Sequence, residues 1–271
     1  MASTAKQNDV FRQLPAFALS SEDSQDRQAH SKRAREVQAA APARERGTIP
    51  AAPVSRDVVI HRSSESISSN HGPIPLDIFR PSTTTASPAL LFLYGSFGLT
   101  PNYIPFIEHL AKRGYLVLVP HYFSRTGTIR ARDDTYRFHF FPWLGSLIDA
   151  FGTVRSRPQV DSSRIGLVGV SLGAALALSM GAQLPGIKAV VEFSGHIPAI
   201  AFVSSMPPTM IVHGGADKRV PVRPAINLAM TLKKRNIPCE LAIYPGELHV
   251  IRQLVFGDAV RRATEFLDKY L

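Results

Sequence analysis

The sequence predicts an α/β domain, a mostly parallel sheet flanked by helices. Three observations carry that prediction. Strand-like and helix-like stretches alternate from Val58 to the C-terminus. Most of the strand-like stretches are unbroken apolar runs, the pattern of strands covered on both faces. The run Gly166 to Leu176, GLVGVSLGAAL, passes from strand to helix with a lone serine at the junction.

The elements follow in order. DVVIHR and IPLDIFRP read as two strands joined by a turn at SSNHGP, an antiparallel entry into the sheet. Ala89 to Gly95, ALLFLYG, is a buried strand. Pro101 to Arg113 is a helix, because Ile104, Ile107, His109, Leu110 and Ala111 fall on a helical stripe. Tyr115 to Tyr122 is the next strand. An irregular, arginine-rich segment runs on to Arg137, long enough to suspect a lid or rim, and a helix lies near Trp143 to Arg155. Arg164 to Val170 is a strand running straight into the helix Ser171 to Leu184. Strands at Ile187 to Gly195, Thr209 to Asp217 and Cys239 to Gly246 complete the sheet. Helices at Pro224 to Asn236 and Val255 to Leu271 accompany them. Between Gly195 and Pro207 the chain is too short for a helical cap domain, so the site is expected to be open. No internal repeat is present.

Residues 1–55 differ from residues 56–271. They mix charges of both signs with Ala, Arg, Gln and Ser, show no sustained period, and are expected to be a disordered tail, with at most a fraying helix near His30 to Ala40. They contain no apolar stretch of the secretory kind and too many acids for a transit peptide. The expected compartment is the cytoplasm. One cysteine, Cys239, excludes an internal disulfide and a cysteine-rich metal site. No spacing of metal ligands occurs, and no apolar run is long enough to span a bilayer. Net charge is +10, carried as 9 Lys/Arg against 7 Asp/Glu in residues 1–57 and 22 against 14 beyond. The basic residues of the main domain are scattered, with no aromatic interleaving, which argues against nucleic acid and for a general pull on small anions.

In open parallel sheets, ligands gather at the carboxyl ends of the strands. Gly169-Val170-Ser171-Leu172-Gly173 fits G-x-S-x-G in the strand–turn–helix context that the motif requires. The turn is tight enough to strain the serine, and the flanking glycines are small because side chains there would collide. A hydroxyl needs a base, and the base an orienting acid, to become nucleophilic. His249 follows the last strand, in PGELHVIR. Asp217 ends the preceding strand, in MIVHGGADKRV. Glu247 and Glu192 are alternative acids, and His213 and His196 also follow strands but precede the loop that should bear the histidine. Two backbone N–H groups would hold an oxyanion, that of Leu172 and that of Ser96 in YGSFGLT.

From Val58 onward the chain resembles an α/β-hydrolase, and more narrowly the dienelactone hydrolase family. The resemblance rests on GYLVLVPHYFSRTGT, RIGLVGVSLGAALAL, TMIVHGGADKRVPV and AIYPGELHV. It implies an eight-stranded, largely parallel sheet and cofactor-free hydrolysis of an ester or lactone through an acyl-enzyme. A peptidase, an acyltransferase or a catalytically silent binding protein could use the same scaffold. The best-known members use a cysteine nucleophile switched on by a glutamate of the first loop; here Ser171 stands in the nucleophile position and the loop has no glutamate. Tyr94 replaces the histidine that many relatives place before the loop glycine. The family's substrate carboxylate is bound by arginines, whose positions here are matched by Arg125 and, one residue out of step, by Arg252. The expected partner is a small ester or lactone, anionic if these arginines serve that role.

Overall fold

The computed structural model describes residues 58–69, 71–82, 85–198 and 206–271. The expected tail over residues 1–55, and part of the short connection ahead of Pro207, lie outside the described residues.

Among the described residues eight strands form one sheet: β1 (Ile60–Ile67), β2 (Ile74–Pro81), β3 (Ser87–Leu93), β4 (Leu116–Pro120), β5 (Val160–Val170), β6 (Ile187–Phe193), β7 (Thr209–Gly214) and β8 (Cys239–Tyr244). Their order is β1-β2-β4-β3-β5-β6-β7-β8. β1 and β2 make an antiparallel hairpin, β2 pairs antiparallel with β4, and every other pairing is parallel. The helices are α1 (Ile104–Lys112), α2 (Asp133–Arg155), α3 (Leu172–Gln183), α4 (Arg223–Lys234) and α5 (Gln253–Tyr270). The central strands are apolar and buried along their length, as in β3 and β4, and α3 is buried from Leu172 to Ala182. This fits a helix with no polar face, lodged between sheet and neighbours.

Strand order reverses between β3 and β5. The chain leaves β3 toward β4 on one side and leaves β5 toward β6 on the other, which opens a crevice at the carboxyl ends of these two strands. Close packing holds the crevice tight. A Cβ on Gly173 would lie 2.0 Å from the Leu93 carbonyl oxygen, and one on Gly169 would lie 2.4 Å from the Gly173 oxygen. Both contacts are with backbone, so neither position accepts a side chain.

Three elements depart from their expected bounds by four residues or more at one end, the others by three or fewer. β1 begins at Ile60 and extends to Ile67 through HRSSESI, six of whose residues are exposed. It is an edge strand whose register comes from pairing with β2 rather than from apolar alternation. β5 begins at Val160 instead of Arg164, its polar start meeting Ser87 across a register shift. The helix expected from Trp143 begins at Asp133 and runs 23 residues through Pro142. Pro142 reads as a boundary because it lacks an N–H. The true start is set upstream, where the Arg132 N–H donates to Thr135 Oγ1 at 2.8 Å and that hydroxyl donates back to the Arg132 carbonyl at 2.9 Å. Only residues 127–132 of the expected irregular segment are without helix; Tyr122–Thr126 form a 3-10 turn.

Candidate active site

Ser171 occupies the turn between β5 and α3, with φ 54° and ψ −114°, a conformation side chains rarely adopt. Its N–H donates to the Phe193 carbonyl of β6 at 2.8 Å, and its own carbonyl accepts from Ala174 and Ala175. The strained residue is therefore pinned from both sides, and its hydroxyl is turned out of the sheet.

Two loops from neighbouring strands meet it. Asp217 follows β7 and His249 follows β8. The loops are fastened to each other by the Gly215 N–H on the Tyr244 carbonyl and the Ala216 N–H on the Glu247 carbonyl, each 2.9 Å. His249 Nε2 stands 2.9 Å from Ser171 Oγ, and His249 Nδ1 stands 2.8 Å from Asp217 Oδ2. Asp217 Oδ1 accepts the N–H groups of Arg219 and Val220 at 2.8 and 2.9 Å. Burial pushes the Asp217 carboxyl up, but hydrogen bonds from His213, His249 and the Val220 N–H outweigh it and hold the group well below the usual carboxylate range. Asp217 is thus an ionised acceptor aimed at the imidazole.

The loop after β3 closes the other side. A Cβ on Gly95 would sit 3.5 Å from Ser171 Cβ, so this backbone lies directly beside the hydroxyl. The Gly95 N–H donates to Tyr103 Oη at 3.2 Å, the Tyr122 hydroxyl donates to the Tyr94 carbonyl at 2.6 Å, and the Ala131 N–H donates to the Ser96 carbonyl at 2.8 Å. Tyr94 and Tyr122 stack with centroids 4.5 Å apart. Leu172 opens α3, so its N–H belongs to the first turn, which lacks intrahelical acceptors. Leu172 thus directly follows Ser171, and Ser96 is the chain neighbour of Gly95, whose backbone lies beside it.

Arg125 and Arg252 are placed differently. Arg125 lies in the 3-10 turn with its guanidinium against α2, where a Cβ on Gly145 would be 2.4 Å from Nη1. Arg252 grips the buried Glu247: its Nε and Nη2 donate to Oε1 at 2.8 and 2.6 Å, and its N–H donates to Oε2 at 2.8 Å. That clamp spans the turn carrying His249, so Glu247 acts as a fastener rather than facing the imidazole as an acid.

His213 and Glu192 gain importance that their sequence setting only hinted at. His213 Nε2 donates to the Val220 carbonyl at 2.9 Å and lies 3.4 Å from Asp217 Oδ2, fully buried behind the acid. Burial lowers its proton affinity, but Asp217 and Glu192 outweigh that and leave it raised. Glu192, in β6, is fully buried; its Oε2 accepts the Gly195 N–H at 2.8 Å. Burial pushes its carboxyl up to about 7, against the opposing pull of His213 and the Gly195 N–H. A charge-bearing letter in each of two apolar strands was the available signal. The consequence is measurable. Between about pH 4.5 and 7 unfolded Glu192 has lost its proton while the folded one keeps it, so this group makes stability fall as pH rises through that window. In Glu192→Gln that part of the decline should vanish from thermal melts taken across the window.

A profile of the dienelactone hydrolase family matches residues 77–253. The chain belongs to this family. Among the chain's relatives, a provisionally named carboxymethylenebutenolidase of Yersinia pestis is 23% identical over 209 residues, covering 70% of this chain and 78% of that one. The mitochondrial acyl-coenzyme A thioesterase 2 of Mus musculus is 26% identical over 178 residues, 62% of this chain but 37% of its own length. The crystal structure of a dienelactone hydrolase from Anabaena variabilis superposes with a TM-score of 0.65 at 22% identity, over 78% of this chain and 99% of that one. The α/β-hydrolase fold expected from the sequence is the fold observed. Among the described residues no helix is long and apolar enough to cross a membrane, and no cluster of three or more His, Cys, Asp or Glu could hold a metal ion.

Proposed function

We propose that this dienelactone hydrolase family member cleaves carboxylic esters or lactones with Ser171 as nucleophile. The continuous chain of contacts Ser171 Oγ–His249 Nε2–Asp217 Oδ2, at 2.9 and 2.8 Å, carries the reading. Ser171 Oγ attacks the substrate carbonyl while His249 Nε2 takes its proton, and Asp217 stabilises the imidazolium that forms. The N–H groups of Ser96 and Leu172 receive the oxyanion. As the tetrahedral species collapses, the C–O bond to the leaving group breaks and the imidazolium returns the proton to that oxygen. Water then attacks the acyl-enzyme, giving its proton to His249; the carboxylic acid departs and Ser171 Oγ recovers a proton.

The test is covalent labelling. A fluorophosphonate should modify Ser171, as read by mass spectrometry of the digested protein, and the adduct should be missing in Ser171→Ala. An unmodified Ser171 from mild acid to mild base would favour a silent, ligand-binding relative instead.

A further inference from the structure

A second feature lies beside the candidate site and has no role in the chemistry just described. A cleft of about 650 Å³ is lined by Phe97, Arg130, Ala131, Arg132, Asp134 and Arg219. Its walls are chain neighbours of the site itself. Phe97 follows Ser96, Ala131 is the residue whose N–H holds the Ser96 carbonyl, and Arg219 donates its N–H to Asp217 Oδ1. A ligand seated there would be within a residue or two of both the oxyanion loop and the acid loop. The volume falls within the range of small-molecule sites.

The lining is unbalanced in charge. It holds three arginines and one aspartate, and the carboxylate of that aspartate, Asp134, stands 3.6 Å from Arg132. Among the described residues no carboxylate lies within ion-pair distance of Arg130 or Arg219. Arg130 is pre-oriented: its guanidinium carbon lies 3.8 Å from the centre of the Phe97 ring. Stacking occupies the flat face of a guanidinium and leaves its N–H edge to bind. The start of α2 adds little to this, since Asp134 Oδ1 and Thr135 Oγ1 already accept the N–H groups of Thr135 and Arg132. The arginine side chains are therefore the receptor.

We infer that this cleft binds a phosphate group carried by the substrate, resting on the hydrolase reading above. The lining's surplus of two positive charges matches a phosphate dianion, whose three terminal oxygens can be shared among guanidinium edges from two separate loops. A carboxylate, with one charge and two coplanar oxygens, is satisfied by a single arginine. The cleft differs from the positions of Arg125 and Arg252, which are engaged with α2 and Glu247.

The test uses the acetyl thioesters of pantetheine and 4′-phosphopantetheine, which differ by one phosphate. At low salt, kcat/KM should favour the phosphorylated thioester by about tenfold or more, the usual worth of a charge-assisted contact. The preference should shrink as salt rises. Arg130→Ala/Arg219→Ala should bring the ratio close to one, and Arg219→Glu should invert it. The same comparison of 4-nitrophenyl acetate with 4-nitrophenyl hemisuccinate gives a carboxylate arm, where a smaller ratio is expected. Calorimetric titration of Ser171→Ala with 4′-phosphopantetheine and with pantetheine reads the cleft without turnover. Arginine-dependent binding of the first alone, with no thioester or ester cleaved by the native enzyme, would uphold the cleft and remove the hydrolase reading. Equal binding of the two, a phosphate preference that survives the arginine variants, or a stronger preference for the carboxylate would overturn the inference.

Discussion

Ser171→Ala is expected to lower kcat for a chromogenic acetate ester by about 10⁴- to 10⁶-fold, with thermal melting little changed. Both halves of that expectation come from the local geometry. The hydroxyl's hydrogen bond is with His249 Nε2, so removing it deprives the imidazole of the proton it would take. The strained backbone at φ 54° is held by main-chain bonds to Phe193, Ala174 and Ala175, none of which involves the side chain. Alanine keeps the Cβ and loses only the oxygen, so the turn has no reason to rearrange. Residual activity above a tenth of the native rate would mean that another group attacks the carbonyl.

Asp217→Asn should cost about 10⁴-fold in kcat, and the direction of the amide explains why. The N–H groups of Arg219 and Val220 both point at Oδ1, so an asparagine would place its carbonyl oxygen there. Its NH₂ would then occupy the Oδ2 position, 2.8 Å from His249 Nδ1. An NH₂ facing Nδ1 demands a lone pair on that nitrogen, which puts the ring proton on Nε2. Nε2 would donate to Ser171 Oγ instead of accepting from it, and the base is lost while its position is kept. Proton NMR of the imidazole, with the ring proton moved from Nδ1 to Nε2, would show this directly; an unmoved proton together with native kcat would contradict it.

Much of the site was legible in the sequence because each of its parts follows a strand. The strands are apolar runs of unmistakable kind, and G-x-S-x-G, GGAD and PGELH each sit just past one. Asp217 and His249 could be paired from that placement together with their order after Ser171, which set aside His213 and His196 although these also follow strands. The length of α2 could not, since Pro142 imitates a boundary and the start is fixed by a backbone-to-Thr135 exchange that leaves little compositional trace. The role of Glu247 was equally hidden: a glutamate two residues from a histidine looks like a competing acid until its carboxylate is seen gripped by Arg252. The support of Asp217 by His213 depends on the chain turning back just past the end of β7, so that two residues four apart meet, which no period reports. The arginine-lined cleft joins residues about ninety positions apart: the arginine-rich segment before Arg137 marked one wall, but nothing in the sequence brought Arg219 to it.

The three groups of the proposed chemistry are not equally anchored. The hydroxyl stands on β5, enclosed by partners on either side, whereas the imidazole hangs from β8, which among the described residues has a neighbour on one side only. Fraying at such a margin needs far less disruption than melting the middle. For the proposed chemistry, the working lifetime under heat is then expected to be set by this outer ribbon, with activity lost while most of the architecture still stands.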